Sequence, residues 1–146
     1  MNCSYCFYRD VSKNRETCSY GAMSIHTLEA LVKKVFSGSY ESAAFAFQGG
    51  EPTLRGLDFY EKLIQYVAAY NTDRIPVSYA MQTNGYCLDE KWSAFLAGHK
   101  FLVGVSLDGT KESHDHYRKN GKGNGTHSKA LREPDGDRSG RFGLSL

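Results

Sequence analysis

Amphipathic helical stretches alternate with short apolar runs through the middle of this chain, and that alternation admits few folds. From Ser24, a suitable N-cap, Leu28, Leu31, Val32, Val35 and Phe36 recur at the i, i+3, i+4, i+7, i+8 spacing of one helix face, ending near Gly38. The run AAFAF at 43–47, halted by QGGEP, reads as a buried strand entering a glycine turn. Tyr60, Leu63, Ile64, Val67 and Ala68 repeat the helical spacing. Pro76 then opens VSYAMQ, whose alternation predicts a strand, and TNG closes it. Leu88, Trp92, Phe95 and Leu96 mark a third helix before Gly98. FLVGVSL at 101–107 has the composition of a strand covered on both faces. These connections are too long for hairpins, so the strands are expected to be parallel and joined by right-handed crossovers. The fold class is α/β, either a barrel-like or an open sheet, and 146 residues with 40% hydrophobic suffice for a single core.

The net charge of +2 comes from basic residues interleaved with acidic ones, which predicts neither a nucleic-acid partner nor a membrane surface. No stretch approaches the roughly 20 apolar residues of a membrane span, and no charged-then-apolar leader is recognisable. Four cysteines, at 3, 6, 18 and 87, are too sparse for a secreted disulfide framework. Reduced thiols in the cytoplasm are the expectation.

The unusual residues cluster where α/β folds place their sites. Gln48-Gly49-Gly50-Glu51-Pro52, Gln82-Thr83-Asn84-Gly85 and Ser106-Leu107-Asp108-Gly109 each follow the C-terminal end of a predicted strand. Cys3 and Cys6 precede the first of these helices and fall in the equivalent loop, so all four clusters should face one mouth. Asn84-Gly85 and Asp108-Gly109 are also ordinary turn dipeptides. A lone C-x-x-C serves thiol–disulfide exchange, half a zinc site or part of an iron–sulfur site, and spacing alone does not separate these. Histidines 26, 99, 114, 116 and 127 are scattered, and surface positions are expected for them.

Taken in order, CSYCFY at 3–8, FAFQGGEPTL at 45–54, QTNG at 82–85 and VGVSLDGTKESHDHYRKNGKGNGTHSK at 103–129 resemble the radical SAM superfamily, and within it the anaerobic sulfatase-maturating enzymes. The resemblance implies a partial (β/α) barrel, truncated at both ends, over residues 1–129. It also implies a 4Fe-4S cluster on a C-x-x-x-C-x-x-C motif, in which Cys3 and Cys6 match the second and third cysteines. The first would lie upstream of Met1, and Cys18, twelve residues after Cys6, is a poor substitute. Three thiolates leave one iron open for the amino and carboxylate groups of S-adenosyl-L-methionine (SAM).

By the same resemblance, Phe7 and Tyr8 pack near cluster and adenine. Gly49, Gly50 and Glu51 hold the SAM amino group, where bare backbone plus a carboxylate suits an ammonium. Ser106 and Arg118 engage its ribose and carboxylate. Gln48 faces the reacting centre and, with Tyr8, is a catalytic candidate, whereas Asn84 and Asp108 support. The implied reaction is the reductive cleavage of SAM, fed by a low-potential electron donor, to a radical that takes a β-hydrogen from a cysteine or serine of a client sulfatase polypeptide, giving formylglycine.

The chain departs from this family in length and in lacking its cysteine-rich C-terminal region, so the alternatives are another radical SAM peptide maturase, a non-catalytic remnant or a simple metal- or thiol-binding domain. ALREPDGDRSGRFGLSL at 130–146 replaces the next amphipathic helix with proline, glycine and charge, so it is expected to be irregular or disordered, following a frameshift or truncation near residue 130. Without a strand before the cysteine loop, the 43–47 strand is expected to show an unpaired edge, leaving the chain marginally stable.

Overall fold

The computed structural model describes residues 1–17 and 19–131. In chain order it contains β1 (Asn2–Cys3), α1 (Phe7–Lys13), α2 (Ile25–Phe36), β2 (Ala43–Phe47), α3 (Leu57–Tyr70), β3 (Val77–Thr83), α4 (Glu90–Gly98), β4 (Leu102–Val105), α5 (Lys111–Tyr117), β5 (Arg118–Lys119) and α6 (His127–Leu131), with one 3-10 turn at Pro52–Arg55. Strands β2, β3 and β4 form a parallel sheet in that order, with Phe45 opposite Tyr79 and Gln82 opposite Gly104. Helices α3 and α4 make the two crossovers, so the fold is α/β as the alternation predicts. The expected tail begins at 130. Ala130 and Leu131 close α6, and residues 132–146 lie outside the described residues, as does Cys18.

Local chemistry accounts for the three main helices. Ser24 Oγ accepts the Thr27 amide at 3.0 Å and caps α2, whose Leu28 and Val32 are buried. Asp89 Oδ1 accepts the Trp92 amide at 2.9 Å and caps α4. Helix α3 presents Phe59, Tyr60, Leu63 and Val67 to the sheet. These residues join Phe45, Met81, Leu88, Trp92, Leu96 and Phe101 in one core. Tyr60 sits at its centre: its ring meets the edges of Phe47, Phe59 and Trp92 at centroid distances of 5.0–5.3 Å. Its hydroxyl donates to Pro52 O at 2.9 Å, which joins the core to the turn after β2.

The sheet is covered on one face only, which corrects the expectation for both apolar runs. Phe45 is buried, while its neighbours Ala44 and Ala46 are exposed, and Leu102 is 73% exposed. The uncovered face carries Ala44, Ala46, Ser78, Ala80, Gln82 and Gly104, mostly small, with Leu102 as its large apolar side chain. Strand β2 has no partner on its outer edge among the described residues.

Candidate active site

Four loops meet at the C-terminal end of the sheet, each fastened to the next. The cysteine loop is held from the far end of the chain: Cys3 pairs antiparallel with Arg118, and the Ser4 amide donates to Tyr117 O at 3.0 Å. Cys6 then turns the chain into α1. From α1, Tyr8 packs on Gly49 so closely that a Cβ there would lie 3.3 Å from Tyr8 Cε1, and Gly49 adopts φ +93. The positive φ calls for glycine, and the Tyr8 ring leaves only tight room for a side chain.

The second loop is tied to the third through Glu51. Its Oε1 accepts three bonds, from Thr53 N at 3.1 Å, Thr53 Oγ1 at 2.7 Å and Thr83 Oγ1 at 2.6 Å. Its Oε2 accepts the Asn84 amide at 2.8 Å. The third loop is tied to the fourth twice. The Ser106 amide donates to Thr83 O at 2.9 Å, and Gln82 Nε2 donates to Ser106 Oγ at 3.0 Å. Gln82 lies across its partner Gly104, where a Cβ would collide with Gln82 Oε1. The fourth loop returns to the first, because Asp108 accepts a hydrogen bond from Tyr5 Oη.

Charge concentrates where that circuit closes. Arg118 Nε lies 2.9 Å from Asp108 Oδ1, and its guanidinium stands 5.3 Å from the Tyr5 ring centroid. The Nε–H is not aimed at the oxygen and has no aligned acceptor among the described residues, so the contact is an ion pair and not a directed hydrogen bond. Burial works to raise the Asp108 carboxyl, but the Tyr5 bond and Arg118 together hold it below the usual range. Burial and the Asp108 bond push Tyr5 up to about 12. Burial also pushes the Cys3 thiol up, against the nearby Arg118 cation.

Contrary to the surface position expected for it, His114 is fully buried and braces this corner. Its Nδ1 accepts the Asp108 amide at 3.4 Å, which assigns the proton to Nε2. Nε2 therefore donates to Thr126 Oγ1 at 3.1 Å, and that hydroxyl donates to Arg118 O at 2.8 Å. Burial and the Arg118 charge hold the imidazole below its ordinary value.

The structure thus brings Cys3, Cys6, Tyr8, Gly49, Glu51, Ser106 and Arg118 into one circuit of contacts. Gly50, at φ +58, has open space around it. Gln48 is exposed and, with Gly49 and Glu51, lines a cavity of about 650 Å³ along the free edge of β2. Tyr5, Gln82, Thr83, His114 and Thr126 carry no assigned role in the sequence reading, although all five stand inside the quoted motifs and Gln82 and Thr83 belong to the cluster that closes a strand beside a turn. Cys3, Cys6 and Cys87 are free thiols. As soft donors, Cys3 and Cys6 fit an iron–sulfur cluster or zinc in kind, but no group of three or more His, Cys, Asp or Glu near enough to hold a metal occurs among the described residues.

The model of the Radical SAM superfamily matches residues 1–132. The cysteine-type anaerobic sulfatase-maturating enzyme of Clostridium novyi (strain NT) is 48% identical over 131 residues, covering 90% of this chain and 35% of the relative. The serine-type enzyme of Klebsiella aerogenes is 32% identical over 138 residues, covering 92% and 33%. A solved structure described as native anSMEcpe with bound AdoMet and Kp18Cys peptide superimposes with a TM-score of 0.83 at 45% identity, covering 90% of this chain and 35% of that one. The chain therefore spans about a third of the length of the curated relatives it matches. With the family model matched over all the described residues, and the ordered loops meeting at one sheet end, this chain belongs to the radical SAM superfamily.

Proposed function

We propose that the chain carries the SAM-binding and cluster-ligating part of an anaerobic sulfatase-maturating enzyme, with its parallel sheet as part of a (β/α) barrel over residues 1–129. The observation that carries this reading is the closed circuit from Cys3 and Cys6 through Gly49–Glu51, Thr83–Asn84 and Ser106–Asp108 back to Arg118. Support comes from the relatives named cysteine-type and serine-type sulfatase-maturating enzymes and from the neighbour whose structure holds AdoMet and a peptide.

In this reading Cys3 and Cys6 supply two thiolates to a 4Fe-4S cluster, and the third ligand comes from outside the described residues. Gly49, Gly50 and Glu51 receive the SAM ammonium. Ser106 and Arg118 take its ribose and carboxylate oxygens, with Asp108 and Tyr5 holding the guanidinium in place. Tyr8 walls the site, and Gln48 faces the reacting centre. Cluster and SAM together supply one-electron chemistry when bound; the protein binds, orients and shields them. The client is a peptide-like segment of a sulfatase presenting cysteine or serine, the electron comes from a low-potential donor, and a reducing cytoplasm suits the free thiols.

Anaerobic reconstitution with iron and sulfide tests this. About four irons per chain, with SAM cleavage on adding dithionite, is the expected result. Bound zinc, or no metal at all, would favour a second reading, a simple metal- or thiol-binding domain, to which the two-thiol donor set lends weight.

A further inference from the structure

We infer that Thr83 is a positioning residue that holds three of the loops in mutual register and selects which Glu51 oxygen faces the SAM ammonium. This inference rests on the reading above.

Thr83 is 2% exposed and offers no surface to a ligand, yet it touches every loop that follows a parallel strand. Its hydroxyl donates to Glu51 Oε1 at 2.6 Å, in the loop after β2. The same oxygen accepts the Gly85 amide at 3.1 Å, in the loop after β3. Its carbonyl accepts the Ser106 amide at 2.9 Å, in the loop after β4. A hydroxyl can donate once and accept as well, and both capacities are used in different loops.

The consequence for Glu51 follows from counting donors. Oε1 already accepts three hydrogen bonds, two from Thr53 and one from Thr83. Oε2 accepts one, from Asn84. Oε2 therefore keeps the acceptor capacity that a charged ammonium needs, and the Thr83 bond turns the carboxylate so that this oxygen is presented. Gln82 carries the same logic one residue back. By donating to Ser106 Oγ it occupies a lone pair there and leaves the serine proton free for an acceptor on the ligand.

The test compares the purified chain, anaerobically reconstituted with iron and sulfide, with Thr83→Val and Thr83→Ser. Valine keeps the β-branched shape but removes the hydroxyl, and serine restores the hydroxyl. SAM affinity is measured by equilibrium dialysis, and amide exchange over 49–55, 83–86 and 106 is followed by mass spectrometry without SAM. The expected result is SAM binding weaker by roughly tenfold or more for Thr83→Val, with faster exchange in the loops after β2 and β3, and both restored to within about threefold by Thr83→Ser. If valine prevents folding, Thr83→Cys, with its weak thiol donor, takes its place. Wild-type affinity in Thr83→Val, or equal losses for valine and serine, overturns the inference while leaving the enzyme reading intact. If the wild-type chain binds no SAM, the enzyme reading fails. The exchange data then decide whether Thr83 ties the loops, and unchanged exchange overturns that too.

Discussion

His114 shows how one side chain couples the charge at the circuit's closure to pH. It is buried between α5 and the loop after β4, facing Arg118, Asp108, Asp115 and His127, and burial together with the Arg118 charge lowers its protonation. Because the folded imidazole resists a proton that the unfolded one accepts near pH 6.5, the unfolded chain binds more protons as pH falls through that value. Stability should therefore decrease as pH drops below about 6.5, and His114→Gln should flatten that part of the profile, as read from urea midpoints measured between pH 5 and 8. A slope unchanged by the substitution would refute the assignment. Neither this histidine nor Tyr5 was legible as a site residue. Their meaning lies in bonds such as Tyr5 to Asp108, 103 residues apart in sequence, which no local pattern reports. Strand-end position alone gathers Cys3, Cys6, the Gly49–Glu51 triplet and Ser106 into neighbouring loops, whereas Arg118 enters only through the resemblance of the longer 103–129 stretch.

At the scale of elements, legibility followed length. Helices α2, α3 and α4 have nine to fourteen residues and an apolar face against the sheet, so periodicity finds them. Helices α1 and α5 have seven residues each, and β1 and β5 two each. Elements so short are stabilised by tertiary contacts and not by their own pattern. Strand cover was misread for a related reason: a run of alanines and valines looks alike whether one face or two is buried. The core helix α3 makes two separable contributions that urea unfolding can distinguish. Leu63→Ala, at a fully buried position, should cost about 2–5 kcal/mol. Tyr60→Phe, which keeps the ring contacts and removes only the bond to Pro52 O, should cost about 1 kcal/mol. Equal losses would mean that the Tyr60 hydroxyl does more than fasten the turn.

At the scale of the whole molecule, the outer edge of β2 has no strand partner among the described residues and runs beside a cavity lined by Leu28, Leu31, Val35 and Phe45, which makes it a site of self-association. Ala46, exposed on the uncovered face, is a suitable place for an edge charge. Ala46→Lys should raise the protein concentration at which light scattering begins, without changing the circular dichroism spectrum. An onset unchanged by the lysine would place self-association elsewhere on the surface. The pairing of β1 with β5 joins the first residues of the chain to residues beyond 117. Closing so long a loop carries its entropic penalty before any contact rewards it. The sheet and α2–α4 need none of this pairing, whereas the register of Cys3 against Arg118 needs residues beyond 117 in place. The register that places Cys3 is thus shared with the segment that places Arg118, so a change at either one displaces both.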